Sequence, residues 1–314
     1  MSETYIYLII LLIALFWVNG GLFGFVQRDN AVLSDENHLL IEYLAKHSTK
    51  PKNYRRTPGE FRNNGYTVSG RVEGEKANLS YTFPLLNGSE AKYTVSFIPQ
   101  EFSSKVSAFG VHNSCFGPVD EKSYQLKSTD PNYLQLHMNK DGFYFNNAND
   151  FGIDYNYIIS LSQDVGCDIA TFIVEQLQQQ GYDSYVNRVQ AALNFVQFIP
   201  YGQPEFDHGN YGYFGFSLPH ESMAISYADC DSKSALFACI LKQMIKSQNI
   251  VLVLCEFKNE NLGMHMIVGV SDLPFPGQTI RHQAKNYLLL ETTIPIAIHE
   301  QQHEYIIHEI IPVN

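Results

Sequence analysis

The sequence predicts an α+β protein whose core is a group of helices followed by a mostly antiparallel sheet. Three observations support this class: polar and apolar residues alternate up to about residue 145, helical stripes begin near residue 166, and strand-like runs fill the chain from residue 250 onward. A β-rich region and an N-terminal transmembrane helix are predicted to precede this core. The predicted segments are an anchor over 1–28, an amphipathic helix and linker over 29–64, a β-rich accessory region over 65–150 and a helix-and-sheet domain over 151–314.

The composition supports a folded protein and argues against a nucleic-acid partner. Apolar residues make up 45% of the 314 residues and charged residues 17%, which allows a real core and excludes a disordered or collagen-like chain. The 21 basic and 32 acidic residues give a net charge of −11, and the sequence shows no basic patch that would attract phosphates. No pair of cysteines has the CxxC spacing of a thiolate zinc site, so we expect neither a metal nor a cofactor.

The N-terminal segment Tyr5–Val26 is almost entirely apolar. Its 22 residues would reach about 33 Å as a helix, enough to cross the hydrocarbon core of a bilayer. The residues before it carry an acid instead of a positive charge, and no A-x-A cleavage site follows, which favours a retained anchor over a signal peptide or a buried soluble helix. We therefore expect a single-pass membrane protein. We place its soluble part on the extracytoplasmic side. Arg28 follows the segment, but a single basic residue gives the positive-inside rule little evidence for the orientation.

The residues between the anchor and the core are read from their periodicity. Residues 31–47 have the pattern of an amphipathic helix, and residues 48–64 are polar and contain two prolines, as a linker would. From Tyr66 to about Phe145 the period is two; for example, Tyr93, Val95 and Phe97 alternate with polar residues. This stretch is therefore predicted to consist of strands.

The core is predicted to contain three helices and four strands. The helices begin near Gly166, Val186 and Asp231, and Gly181 is suited to end the first of them. The predicted strands are Ile250–Phe257, Met264–Val270, Tyr287–Thr292 and Tyr305–Val313. Between the second and third helices lies a loop rich in glycine and aromatic residues; Tyr201 and Phe216 lie in it, and these side chains either line a cleft or pack beneath the loop.

Three residues from separate parts of this core form a possible catalytic set. Cys230 lies where a loop turns into the third helix, and the free amides of a helix start favour the reactive thiolate. Asp229 and Asp231 act in the opposite direction, because neighbouring carboxylates disfavour a thiolate. His265 lies among apolar residues on one strand and Glu291 closes another, so each needs a polar partner. A thiol, an imidazole and a carboxylate are the parts of a nucleophilic catalytic site.

The region from Val186 to Thr293 resembles the transglutaminase-like superfamily, whose fold is papain-like, and especially its microbial cysteine-proteinase members. The segments that carry the resemblance are Phe195–Tyr201, Pro219–Glu221, Ala228–Asp231, His265–Val270 and Leu290–Thr293. They cover about a third of the chain. Ala228 departs from the family pattern by replacing the usual glycine, and Glu291 departs from it by replacing the commoner aspartate.

The resemblance implies a role for each residue of the set. Cys230 would be the nucleophile, His265 the general acid and base, and Glu291 the carboxylate that orients the imidazole. Gln197 would be an oxyanion donor through its side-chain amide, with loop bracing as the alternative role.

The implied reaction is the hydrolysis of a protein or peptide amide through a thioester. Crosslinking members of the superfamily use a tryptophan near the nucleophile, whereas the only tryptophan here is Trp17, in the apolar N-terminal segment. We therefore expect a membrane-anchored thiol peptidase or amidase whose β-rich region presents or recognises the substrate. The alternatives are an acyl-transferring enzyme and a non-catalytic, membrane-tethered binding protein with the same fold.

A second motif near the C-terminus is interpreted as a decoy. His299 and His303 complete an HExxH pattern, which binds zinc when it lies on a helix. The flanking residues are β-branched or strand-like and include Pro295, so we expect a polar turn between two strands, with no metal.

Overall fold

The computed structural model describes most of the chain from residue 67 onward. The described residues are 67–73, 76–86, 88–97, 111–112, 116–118, 124–126, 142–147, 150–199, 201–202, 211–212, 216–225, 228–258, 263–300 and 303–314. The predicted anchor over 1–28 and the predicted helix and linker over 29–64 lie outside these residues. The architecture is α+β, with helices packed on a curled antiparallel sheet.

The first described elements are short antiparallel strands, as the alternating pattern predicts. Strands β1, β2 and β3 form one sheet in that order, and the later strands pair in twos. Along β3, Ala91, Tyr93 and Val95 are buried, while the residues between them are exposed. The strands are β1 (Thr67–Glu73), β2 (Lys76–Pro84), β3 (Glu90–Phe97), β4 (Val111–His112), β5 (Phe116–Pro118), β6 (Tyr124–Leu126), β7 (Phe143–Asn147), β8 (Asp150–Ile153) and β9 (Tyr211–Gly212).

The three predicted helices are confirmed, and two shorter ones accompany them. The helices are α1 (Tyr155–Leu161), α2 (Gln163–Gln179), α3 (Tyr185–Phe198), α4 (Pro219–Ile225) and α5 (Cys230–Met244). Helix α2 ends where the sequence predicts, because Gly181 adopts a φ of 74°. The amides of Gly181 and Tyr182 then bond back to carbonyls of the last helical turn, which satisfies groups that would otherwise lack partners.

The C-terminal strands form one five-stranded antiparallel sheet. The strands are β10 (Ile250–Phe257), β11 (Met264–Ser271), β12 (Thr279–His282), β13 (Lys285–Leu290) and β14 (Tyr305–Pro312), in the order β12-β13-β11-β10-β14. The four predicted strands are confirmed, and β12 is additional. The two edges approach each other, because the Gln278 side chain donates to the Tyr305 carbonyl at 2.9 Å and accepts from the Tyr305 amide at 2.6 Å. The sheet is therefore curled.

Each face of the curled sheet buries a separate set of apolar side chains. Leu252, Met266 and Val268 belong to the large core shared with the helices. Val253 and Ile267, which alternate with them along the strands, belong to a second cluster on the other face. Successive side chains of a strand point to opposite faces, so β10 and β11 read as almost continuously apolar in the sequence.

The three-stranded N-terminal sheet shares the large core with α2 and α3. The rings of Phe83 and Phe195 meet edge to face at 4.9 Å, and those of Tyr93 and Phe172 lie 5.3 Å apart. The Tyr81 hydroxyl also donates a hydrogen bond to the Met223 carbonyl of α4. Strands β2 and β3 therefore pack directly on α2 and α3 and contact α4.

No described helix is, by itself, both long and apolar enough to cross a bilayer. The pair α1 and α2, which meet at 66°, passes that test jointly on length and composition alone.

A close backbone approach between α2 and α5 occurs at Gly166, and it generates a stability prediction. A Cβ added at Gly166 would lie 2.6 Å from the Cys239 carbonyl oxygen and 2.7 Å from its sulfur. We expect Gly166→Ala to lower the free energy of unfolding by about 1–3 kcal/mol, because overpacking outweighs the gain in helix propensity of up to about 1 kcal/mol. Urea unfolding measures the change.

The matched control is Thr171→Ala, at an exposed position of the same helix. It should leave the free energy of unfolding unchanged or raise it slightly. A Gly166→Ala variant that is as stable as the parent would contradict the close packing of α2 on α5.

Candidate active site

Cys230 is the first residue of α5, as the sequence predicts, and its side chain is half-buried. Asp229 caps the helix by accepting a hydrogen bond from the Ser232 amide at 3.4 Å. One turn further, the buried Ser234 hydroxyl donates to the Met266 carbonyl of β11 at 2.9 Å and lies 3.1 Å from the Thr292 hydroxyl. The start of α5 is therefore fixed against β11 and against the segment that follows β13.

His265 and Glu291 form a direct pair. The His265 Nε2 and a Glu291 carboxylate oxygen are 2.8 Å apart, and the two residues are 7% and 0% exposed. Phe257 stacks on the imidazole with ring centroids 4.7 Å apart. Because Nε2 is engaged, Nδ1 is the ring nitrogen left for a proton exchange with another group.

Glu291 is held in one orientation by several donors. Its other carboxylate oxygen accepts hydrogen bonds from the Thr293 amide at 2.7 Å and the Thr293 hydroxyl at 2.5 Å, and the Tyr305 hydroxyl lies 3.0 Å from the oxygen that faces His265. Burial acts to raise the pKa of Glu291, but hydrogen bonds and charge from His265, together with the Thr293 donors, hold that pKa at about 2. The group is therefore a carboxylate at neutral pH.

Cys230 lies beside the residue of β11 that follows His265. A hydrogen bond from the Met266 backbone acts on its thiol, and the charge of Glu291 also influences its pKa. The residues that the structure describes include no hydrogen bond between the Cys230 thiol and the imidazole. The structure thus joins His265 to Glu291 directly and brings Cys230 beside them through the β11 backbone.

The Cys230 thiol is kept protonated at rest. Burial raises its pKa well above the usual value, Asp231 and Asp229 raise it further, and the Met266 hydrogen bond opposes them. The helix start alone would favour a thiolate, but two adjacent carboxyl groups in a buried site outweigh its partial charge.

Asp229 and Asp231 behave as a coupled acid pair. The Ser232 amide lies 3.4 Å from one carboxyl and 2.8 Å from the other, and the Tyr155 hydroxyl lies 3.4 Å from Asp231. Burial and then the charge of Asp231 raise the pKa of Asp229 well above its usual value, and burial also raises the pKa of Asp231. The two carboxyl groups hydrogen-bond to each other, so they share a proton and titrate as a unit.

The structure corrects the role expected for Gln197. Its side-chain nitrogen donates to the Glu291 carbonyl at 2.8 Å and to the Ile296 carbonyl at 2.9 Å, which uses both amide hydrogens. No hydrogen therefore remains for an oxyanion, and the side chain has the bracing role that was the alternative. The fully buried Lys233 donates to the Gln197 backbone carbonyl at 3.2 Å, which ties α3 to α5.

The HExxH segment does not lie on a described α-helix. His299 belongs to a 3-10 turn over Ile298–Glu300, and His303 precedes β14. Both histidines line a cleft of about 640 Å³ beside Tyr305. Across the described part of the chain, no group of three or more metal-binding side chains is present.

Sequence reasoning did not single out Ser234 or Met266, although both connect the elements of the site. The available signal for Ser234 was its position one helical turn after Cys230, on the same face of α5. Tyr201 was predicted either to line a cleft or to pack beneath its loop, and the structure adds that its backbone forms a parallel bridge with Ala228, two residues before Cys230.

The acid pair generates a prediction about thiol reactivity. We expect Asp231→Asn to speed the alkylation of Cys230 by iodoacetamide at pH 7 by about three- to tenfold. The expectation follows because removing the charge lowers the thiol pKa and raises the thiolate fraction, while intrinsic nucleophilicity falls less steeply. Mass spectrometry of the Cys230 peptide measures the rate.

Asp183→Asn is the control, because Asp183 pairs with Arg188 on the surface at 2.6 Å. It should leave the Cys230 rate unchanged. Slower alkylation in Asp231→Asn would show that the acid pair does not hold the thiol in its protonated form.

Glu291 generates a prediction about acid stability. Its pKa is lowered from 4.5 to about 2 in the folded state, so its ionised form stabilises the protein above pH 4.5, and this contribution disappears as the pH falls from 4.5 through about 2. We expect Glu291→Gln to be less stable than the parent at pH 6, with the difference shrinking below pH 4.5. Chemical unfolding across this pH range measures it.

The control for this series is Glu175→Gln, the same substitution at an exposed position of α2. Its difference from the parent should stay small at every pH. A Glu291→Gln difference that is constant from pH 6 to pH 2.5 would contradict the ionised, hydrogen-bonded carboxylate.

The comparisons with known proteins add no relative. No family model matches the sequence, and neither a curated protein nor a solved structure is similar to it at a significant level.

Proposed function

We propose that the protein is a thiol peptidase or amidase that hydrolyses a protein or peptide amide. Cys230 is the nucleophile, His265 the general acid and base, and Glu291 the orienting carboxylate. The observation that carries the proposal is the buried His265–Glu291 pair, whose facing atoms are 2.8 Å apart. Met266, the residue that follows His265 on its strand, donates a backbone hydrogen bond to a cysteine at the start of a helix.

The first half-reaction forms a thioester. The imidazole takes the thiol proton as the sulfur attacks the carbonyl carbon, so a C–S bond forms and the carbonyl π electrons move onto oxygen. The amide of Cys230, an early N–H of α5 without an intrahelical acceptor, is available to bind that oxygen. The tetrahedral intermediate then collapses, the C–N bond breaks, and the imidazolium gives its proton to the leaving amine.

The second half-reaction releases the acid. His265 takes a proton from water, the resulting hydroxide adds to the thioester carbon, and the C–S bond breaks as the sulfur regains a proton. Glu291 stays ionised throughout, which holds the imidazole in place and stabilises its charged form.

The raised pKa of Cys230 decides how this mechanism starts. A site that rests as a thiol beside an imidazole needs proton transfer in the attack step itself, whereas a resting thiolate would not. The same property supports the alternative of a binding protein that keeps the residues without catalysing a reaction. Acyl transfer to an amine is the other alternative, because an amine can replace water at the thioester.

We further propose that the segment Tyr5–Val26 anchors the enzyme as a single-pass membrane protein with an extracytoplasmic soluble part. The partner at the site is then a protein or peptide substrate. Strands β2 and β3 pack on α2 and α3, and these two helices pack in turn on α5, which carries Cys230, so the N-terminal sheet is positioned to contribute to substrate recognition.

The test uses the full chain and a library of short peptidyl coumarylamides. We expect Cys230→Ala to lose at least about a thousandfold in kcat/KM on any peptide that the parent cleaves. Cys167→Ala is the matched control, because Cys167 is likewise half-buried and in no disulfide but lies on α2. It should keep the parent rate.

Added hydroxylamine separates the alternatives. A hydroxamate product shows that a thioester forms, and its yield relative to the free acid distinguishes transfer from hydrolysis. Undiminished cleavage by Cys230→Ala would overturn the proposal.

A further inference from the structure

The structure leaves the oxyanion without the donor that the sequence suggested. Both hydrogens of the Gln197 amide are donated to backbone carbonyls, so the Cys230 amide is the donor identified so far. Sites that stabilise a tetrahedral oxyanion commonly use two donors. The second donor must reach the space above Cys230 from an element other than α5.

Tyr201 lies in such an element, the loop that follows α3. Its backbone pairs in parallel with Ala228, and the Gly202 amide donates to the Ala228 carbonyl at 3.1 Å. This short parallel bridge holds the loop after α3 alongside the turn that leads into Cys230. The side chain is half-buried, so it faces the protein while keeping access to a bound molecule.

The hydroxyl of Tyr201 is close to the candidate site and is not committed elsewhere. Burial raises the pKa of Tyr201, and so do, in decreasing order, Cys230, Asp229, Asp231 and Glu291. Within the described part of the chain, no hydrogen bond engages this hydroxyl. Tyr155, by contrast, directs its hydroxyl toward Asp231 at 3.4 Å.

We infer that Tyr201 is a further catalytic residue, whose hydroxyl donates a hydrogen bond to the oxyanion that forms when Cys230 attacks a carbonyl. The inference rests on the proposed function. A phenol surrounded by acidic groups stays protonated through the neutral range, so it remains a donor under working conditions. It replaces the Gln197 amide as a donor to the oxyanion, because both hydrogens of that amide are donated to the Glu291 and Ile296 carbonyls.

The test compares two reactions of the same sulfur. With an aldehyde, the sulfur bonds to the carbonyl carbon, the π electrons move to oxygen, and the thiol proton moves to His265, so an oxyanion develops opposite an imidazolium. With iodoacetamide, the sulfur displaces iodide, the thiol proton leaves to base, and no oxyanion forms. A donor to the oxyanion therefore affects the first reaction and not the second.

The measurement is made on the full chain with a panel of N-acetyl amino aldehydes, using the tightest binder of the parent protein. Protection of Cys230 from iodoacetamide, followed by mass spectrometry, gives both the aldehyde Kd and the alkylation rate of the free protein. We expect Tyr201→Phe to raise the Kd by at least about tenfold and to leave the alkylation rate within about threefold. On a cleaved peptide, kcat should fall by about 10²–10³ with little change in KM.

Tyr185→Phe is the control. Tyr185 is also half-buried, but its hydroxyl donates to the Ser271 carbonyl at 2.7 Å, away from Cys230. It should leave both quantities unchanged. Because the Tyr201 bridge is made by the backbone, Tyr201→Phe should fold, and an unchanged melting temperature checks this.

The outcomes separate the two proposals. An unchanged aldehyde Kd in Tyr201→Phe, or a parallel loss of aldehyde binding and alkylation, overturns the role of Tyr201 and leaves the proposed function standing. A parent protein whose Cys230 is protected by no aldehyde overturns the proposed function, and the role of Tyr201 with it.

Discussion

One buried hydroxyl fixes the relative positions of the three candidate catalytic residues. Ser234 lies one turn after Cys230, bonds to the carbonyl of the residue after His265, and contacts the hydroxyl of the residue after Glu291. The Ser234 side chain is fully buried, so its hydrogen bond is costly to break, because each group would lose its partner without gaining water. The nucleophile, the imidazole and the carboxylate are therefore held in place through their chain neighbours.

The electrostatics of the site show which of two opposing effects is larger. A helix start contributes a partial positive charge of about half a unit, which favours a thiolate. Burial and the coupled acid pair of Asp229 and Asp231 act in the opposite direction and raise the pKa of Cys230. The site therefore combines an ionised Glu291 with a Cys230 thiol whose pKa is raised.

The sequence predicted the elements that depend on local periodicity and missed the features that depend on long-range contacts. The stripe of α2, its end at Gly181, the start of α5 at Cys230 and the four apolar strands follow from spacing and residue type, so they could be read directly. The apolar surroundings of His265 and Glu291 predicted that each needs a polar partner, and their pairing with each other was expected only from the resemblance. The curl of the sheet could not be predicted, because it depends on how the Gln278 side chain meets the backbone of a strand 27 residues away.

The roles of Gln197 and Tyr201 show the same limit more sharply. Both residues lie in the short segment Phe195–Tyr201, and residue type alone makes a glutamine amide the more obvious oxyanion donor. Whether the Gln197 amide can donate to a ligand depends on two distant backbone carbonyls. Those of Glu291 and Ile296 accept both of its hydrogens. Only the fold shows which donors are already used.

The candidate site exists because two strands separate. β11 pairs with β13 only from Val268 onward, where Val268 faces Leu290, and the chain turns away at Glu291. Before that point the β11 edge has unpaired backbone groups, which in a buried position need other partners. The first two turns of α5 supply them, since the Ser234 hydroxyl donates to the Met266 carbonyl and the Cys230 thiol accepts a hydrogen bond from the Met266 backbone. The gap in the sheet therefore brings the Cys230 thiol against the β11 backbone at Met266 and allows Glu291 to turn inward and meet the imidazole.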